Sequence, residues 1–226
     1  FCKWLGYTDE LRQQEPIGIG RIITRKFLES IDYEPFLSSA SNSMDFYMWE
    51  KCLNKGFKVS GCDNLVGGDL DNVDSNVNFY QGNCEDLDFM TNATKHNVDV
   101  LCHSASYAHE GLSNISPTLI CQNNMTGSVA TFTAAIRNKV KRIVFCSSMA
   151  RYGNIATPFK ETDKCNPSDP YGVTKLAAEN ILKILCETHG LEYNIAVPHN
   201  IIGPRQKYDD PFRNVASIMT NLILMD

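Results

Sequence analysis

From about residue 46 onward, short apolar runs alternate with longer amphipathic stretches. The runs Phe57–Cys62, Val77–Gln81, Val98–Ser104, Val140–Ser147 and Tyr193–Pro198 read as strands. The stretches Tyr47–Asn54, Pro117–Asn138, Pro170–Thr188 and Asn214–Met225 read as helices. Lys55-Gly56 and Gly190 are stop signals, and Ser168-Asp169-Pro170 is a start signal. Strands and helices in alternation require a parallel sheet with helices on both faces, an α/β doubly wound architecture. VDVLCHS (98–104) is expected to be buried on both of its faces.

Composition narrows the function. The chain has 226 residues, 26 acidic and 21 basic, for a net charge of −5. These are values of a globular chain, not of a disordered, collagen-like or disulfide-stapled one. The acidic balance speaks against a nucleic-acid binder. No stretch reaches the ~18 apolar residues of a membrane span, and FCKWLGYTDE lacks the apolar core of a secretory signal. A cytoplasmic protein is expected. Nine cysteines without C-x-x-C spacing indicate neither a zinc ribbon nor a redox pair, and no metal site is predicted. They are expected to be mainly buried free thiols.

Residues 1–38 do not share the rhythm. Ile19, Ile22, Ile23, Phe27 and Leu28 suggest one amphipathic helix, starting after Pro16. The expected division is an atypical segment, 1–38, and an α/β domain, 39–226.

The strongest chemical signal is Tyr171-Gly172-Val173-Thr174-Lys175. A spacing of four puts both side chains on one helical face. An ammonium beside a phenol favours the phenolate and would bring the tyrosine from about 10 toward neutrality. Tyr171 is then a candidate general base. Ser148 precedes it by 23 residues (171 − 148) and follows the strand IVFCSS, at the carboxyl end where α/β sheets bind ligands. Ser148 could align a reacting hydroxyl. Ser147 and Ser148 could equally satisfy the turn backbone.

With these motifs in place the chain resembles the extended short-chain dehydrogenase/reductase family, in particular its NAD-dependent sugar-nucleotide 4-epimerases of the UDP-glucose type. The resemblance rests on DNLVGG (63–68), VDVLCHSAS (98–106), NNMTGS (123–128), VFCSSMARYG (144–153), DPYGVTK (169–175) and HNIIGPRQ (199–206), in family order and spacing. It implies a Rossmann-like fold, NAD as cofactor and a UDP-sugar as substrate. Ser148, Tyr171 and Lys175 would be catalytic. Asp63 would hold the adenosine ribose with Asn64, and Asn83 and Cys84 would pass the adenine. Ser104, Ala105 and Ser106 would line the cofactor, with Asn124 beneath them. His199 would lie near the nicotinamide, and Ser148 and Asn200 near the sugar substrate. A homodimer through helices 117–138 and 170–188 is implied. Met149 and Ala150 stand where related dehydratases carry an Asp-Glu pair; neither can transfer a proton, so epimerisation or simple 4-reduction is expected rather than dehydration.

Two departures define the alternative. The family's loop glycines fall at Ser39, Asn42 and Asp45, and the segment before them, Tyr33-Glu34-Pro35-Phe36-Leu37, carries a proline unsuited to a central strand. The small C-terminal substrate domain of the family is expected to be largely missing. A catalytically inactive fold used for binding or scaffolding is the corresponding alternative expectation.

Overall fold

The computed structural model describes residues 52–199, Ile201 and 215–225. The loop positions 39–45, most of the helix expected at 47–54, and Asn200 lie outside these residues.

At Cys52–Asn54 a helix ends as the Lys55-Gly56 signal requires. The Gly56 amide bonds Leu53 O at 2.9 Å and the Phe57 amide bonds Cys52 O at 3.0 Å. Gly56 takes φ +78°, so the reversal is of the Schellman type. Five parallel strands follow: β1 (Ser60–Asp63), β2 (Asn78–Gln81), β3 (Val100–His103), β4 (Arg142–Cys146) and β5 (Glu192–Ala196). Among the described residues β1 pairs with β2, and β3, β4 and β5 pair in that order. Ile143 lies between Leu101 and Tyr193 in register. All pairs are parallel. The doubly wound α/β fold expected from the alternation is the fold observed.

The helices are α1 (Leu87–Ala93), α2 (Glu110–Ile115), α3 (Pro117–Ile120), α4 (Gly127–Arg137), α5 (Pro170–His189) and α6 (Val215–Met225). A π turn, Cys121–Thr126, joins α3 to α4 with helical backbone throughout. The helix expected at 117–138 is therefore one rod with an inserted wide turn. A periodic apolar pattern does not betray the extra residue.

The core lies between β3–β4–β5 and the helices α4 and α5. Leu101, Ile143 and Phe145 from the strands meet Phe132 and Ala135 of α4 and Ala178, Leu182 and Cys186 of α5. Phe132, Phe145, Ile143 and Leu182 are fully buried, each stabilising the fold by roughly 1.5–3 kcal/mol. β3 departs from expectation. Leu101 and His103 are buried, but Val100 is 47% exposed and Cys102 is exposed. The face of β3 turned to α4 and α5 carries the core, and the continuous apolar run overstated the burial of the other. The cysteines differ as well. Eight are described and all are free thiols, but only Cys146 and Cys186 are buried, while Cys62, Cys102 and Cys121 are exposed. Small apolar residues within a strand alternate faces like any others.

Helix α5 ends where Gly190 enters the left-handed region at φ +69° and Leu191 N–H bonds Cys186 O at 3.0 Å. Asp169 opens it, accepting the Gly172 amide at 2.8 Å with Pro170 in the first turn. This cap fixes the position of the two residues that follow, Tyr171 and Lys175.

Candidate active site

The carboxyl ends of β3 and β4 and the first turns of α5 converge. Past β4, Ser148 caps a short 3-10 turn, Met149–Tyr152, accepting the Ala150 amide at 3.2 Å. The same hydroxyl acts on the Tyr171 phenol, favouring its ionised form. The turn reading of this serine is realised, since its hydroxyl holds the turn. Two glycines permit the approach. A Cβ on Gly172 would stand 2.6 Å from Ala150 O. One on Gly153 would stand 1.9 Å from Asn166 O, at φ +60°. The first contact lets α5 lie directly on the turn that carries Ser148, and the second lets the segment before α5 do so.

Tyr171 is 6% exposed. Burial pushes its phenol above the ordinary value, and the Glu110 and Asp169 charges add to that. The Ser148 and Ser106 hydroxyls pull it down, without reversing the shift. The direction is opposite to the sequence expectation, and the position of Lys175 explains why. Its ammonium donates to Cys146 O at 2.8 Å and lies 5.9 Å from the Tyr171 ring centroid. It is 3% exposed, and burial lowers it to about 8. Helical spacing correctly put the two residues on one face. It could not show that the lysine is spent on a backbone carbonyl of β4.

The cofactor-side residues fall into two groups. At the end of β1, Asp63 is exposed, with one carboxylate oxygen accepting the Leu65 amide at 2.6 Å. Asn64 accepts the Val66 amide at 3.1 Å. At the end of β2, Asn83 is exposed, and Cys84 seats its sulfur against Gly127, where a Cβ would come within 2.7 Å. Past β3, the chain at Ser104, Ala105 and Ser106 is pinned from below by Asn124 of the π turn, itself 1% exposed. Asn124 Oδ1 accepts the Tyr107 amide at 2.8 Å and the Ser106 hydroxyl at 3.1 Å, and its Nδ2 donates to Tyr107 O at 3.1 Å. His199 is exposed three residues beyond β5, beside the strand end where Met149 N–H bonds Pro198 O. It acts electrostatically on Glu110, which sequence reading did not single out.

His103 was missed too. It is 4% exposed, stacked on Phe145 at 5.8 Å, with Nε2 2.9 Å from Ser128 Oγ. Burial, and secondarily Lys175, lowers it to about 3, so it stays neutral. Arg151 and Glu179 were missed as well: they form a buried ion pair at 2.8 Å under the Ser148 turn.

The donor set suits a dinucleotide with a free ribose. Asp63 offers a carboxylate at a strand end, the place where diols are bound and a 2′-phosphate is repelled. DNLVGG holds no Lys or Arg that could receive such a phosphate. Ser104 and Ala105 are exposed, and the residues that follow them, Ser106 and Tyr107, are held by the buried Asn124.

Fold and site together define a Rossmann-like domain of the short-chain dehydrogenase type, with a serine, a tyrosine and a lysine at one end of the sheet. The chain belongs to the NAD dependent epimerase/dehydratase family, which matches residues 46–225. It is 35% identical over 143 residues to the UDP-glucose 4-epimerase of Halalkalibacterium halodurans, covering 62% of this chain and 42% of that protein. It is 32% identical over 156 residues to that of Lacticaseibacillus casei, covering 68% and 47%. The chain thus spans just under half the length of these relatives. The UDP-glucose 4-epimerase of Thermotoga maritima, solved with UDP-glucose, superposes with TM-score 0.76 at 27% identity, over 83% of this chain and 62% of that one. The UDP-N-acetylglucosamine 4-epimerase of Methanobrevibacter ruminantium gives TM-score 0.70 at 32% identity, over 75% and 56%.

Proposed function

We propose that this chain carries the NAD-binding and catalytic part of a nucleotide-sugar 4-epimerase, in a cofactor domain spanning residues 39–226. The observation that supports it most is the placement of Ser148, at the cap of the turn past β4, beside the first turns of α5 that carry Tyr171 and the buried Lys175, at the strand ends of a Rossmann-like sheet. Relatives and solved neighbours named as UDP-glucose and UDP-N-acetylglucosamine 4-epimerases support a UDP-sugar substrate.

The chemistry NAD supplies when bound is reversible hydride acceptance. Asp63 and Asn64 would hold its adenosine ribose, and Asn83 and Cys84 would flank the adenine. Ser104, Ala105 and Ser106 would line it along the backbone that Asn124 supports. Tyr171, Lys175 and His199 would stand at its nicotinamide end. Asn200 keeps its sequence-based assignment to the sugar diphosphate.

Tyr171 takes the proton from the sugar 4-hydroxyl oxygen, and Ser148 aligns that hydroxyl by hydrogen bonding. When the 4-keto sugar has turned its other face, Tyr171 returns the proton to the same oxygen. In the ligand-free arrangement Tyr171 is a phenol at neutral pH. Activation requires positive charge closer than the Lys175 ammonium lies here, because like burial raises any phenol. Met149 and Ala150 border Ser148 without an acid or base that could expel a hydroxyl as water.

The test is interconversion of UDP-glucose and UDP-galactose, followed by proton NMR with NAD present. Tyr171→Phe is expected to lower turnover by at least about a hundredfold while leaving NAD affinity nearly unchanged. Turnover equal to the parent would refute Tyr171 as the base. Binding of NAD without any turnover would favour the inactive scaffold, and turnover only as net 4-keto reduction would favour a reductase. A homodimer through α3–α4 and α5 is also proposed, since Val173 and Ile184 of α5 are 51% and 62% exposed; light scattering at the monomer mass would exclude it.

A further inference from the structure

Glu179 is fully buried, and Arg151 is 7% exposed. Neither takes part in the proton transfer proposed above. Glu179 lies two helical turns beyond Tyr171, so Tyr171, Lys175 and Glu179 follow one another at spacings of four on one face of α5. Its two carboxylate oxygens go to different places. Oε1 accepts the Ser147 hydroxyl, and Oε2 accepts Arg151 Nη1 at 2.8 Å. Ser147 is the residue before Ser148 and Arg151 is three after it. The carboxylate therefore grips the Ser148 turn from both ends. Arg151 extends the grip. Its Nη2 donates to the Tyr152 hydroxyl at 2.6 Å, and its guanidinium lies 4.6 Å from the centroid of that ring, which stacks on Phe159 at 4.9 Å. Ser147 N–H is anchored to β5 at Ala196 O, 2.8 Å away.

A buried ion pair is a poor source of stability. Desolvation offsets the attraction, and apolar side chains of similar volume often serve as well. Here the cost is raised further, because Arg151 Nε is buried without a hydrogen-bond partner. What apolar side chains cannot supply is direction: a fixed distance between the helix carrying Tyr171 and the turn carrying Ser148.

We propose that the Arg151–Glu179 pair is a positioning device that holds the Ser148 turn against the face of α5 that carries Tyr171, with Arg151 and Glu179 as positioning residues. The proposal rests on the reading of Ser148 and Tyr171 as the catalytic pair. Its test does not require turnover.

Arg151→Met alone leaves the buried Glu179 with only the Ser147 hydroxyl and, at 3.9 Å, the half-exposed Lys183 ammonium, and can unfold the chain. The decisive variant is Arg151→Met/Glu179→Leu, which removes both charges together. Its urea unfolding midpoint is compared with the parent. The Tyr171 phenol is titrated by phenolate absorbance, as the difference between each protein and its Tyr171→Phe counterpart. The double variant is expected to keep the parental midpoint. Its Tyr171 titration is expected to move up by about half a pH unit or more, as the Ser148 turn drifts from α5 and its hydroxyl no longer favours the phenolate. Where UDP-sugar turnover is measurable, kcat falls by roughly tenfold with KM unchanged, as misplacement of a reacting group does. A Tyr171 titration that coincides with the parent would overturn the proposal. So would loss of the fold in the double variant, since the pair would then be a structural requirement. A parent chain without turnover would count against the epimerase reading alone, and the phenol titration would still decide this one.

Discussion

Lys175→Met should change how stability depends on pH. Lys175 is 3% exposed, and burial lowers it from 10.5 to about 8. The difference, 10.5 − 8 = 2.5, is worth roughly 3 kcal/mol at about 1.4 kcal/mol per pH unit. Folding bears that cost while the ammonium is charged. Methionine removes it but abandons the 2.8 Å bond to Cys146 O. Losing a hydrogen bond from a charged donor costs about 1.5–3 kcal/mol, so the two proteins should differ little at pH 7. The pH dependence separates them. The folded value lies below the unfolded one, so between pH 8 and 10.5 the unfolded chain holds a proton that the folded chain has released. Wild-type stability must rise through that window relative to the variant. Urea unfolding of both proteins from pH 7 to pH 10 should show the parent gaining roughly 2–3 kcal/mol on Lys175→Met. The cysteine and tyrosine titrations shared by both cancel in the difference. A constant separation across the range would refute a charged, desolvated Lys175.

The other expectations concern the frame of the site and its acid limb. Gly153→Ala places a methyl 1.9 Å from Asn166 O at a positive φ, and should cost more than about 2 kcal/mol in urea unfolding; an unchanged midpoint would mean the turn is not held against the segment 166–168 that leads into α5. His103 is lowered from 6.5 to about 3, so the stability tied to its neutral form is present above pH 6.5 and is lost as pH falls toward 3. His103→Gln should therefore show a flatter acid limb, by up to roughly 4–5 kcal/mol, and superimposable limbs would exclude a buried neutral imidazole. Asp63→Asn should narrow the preference for NAD over NADP by about tenfold or more, read by calorimetric titration of both.

Long elements with strong ends were legible before the structure. Helix α5 runs from the Asp169-Pro170 cap to Gly190, as its signals indicated, and β4 and β5 fall within a residue or two of the expected runs. Short elements were not. Helix α1, LDFMTNA, buries only Met90, so it has too little apolar periodicity to be heard. Helix α2 follows His109, which makes no side-chain cap hydrogen bond. In the site, Ser148, Tyr171 and Lys175 could be brought together from spacing because two helical turns and one strand end leave few places for them. The direction of the Tyr171 shift could not, since it depends on where a flexible lysine ends. Arg151 and Glu179 were passed over because charged residues ordinarily face water. The spacing of four that relates Glu179 to Lys175, and Lys175 to Tyr171, was the signal available.

The loop positions Ser39, Asn42 and Asp45 make NAD binding the point on which the whole reading turns. A carboxylate about 4 Å from a diphosphate charge would repel it by about 4 kcal/mol at an effective dielectric of 20. Against this stand Asp63, the Asn124-supported backbone and the Ser148–Tyr171–Lys175 cluster. Calorimetric titration of the chain with NAD measures the balance directly. Saturable binding at or below millimolar NAD, weakened by Asp63→Ala and retained in Tyr171→Phe, is the expected result. No heat and no stabilisation at millimolar NAD would contradict an NAD-dependent epimerase site in this chain.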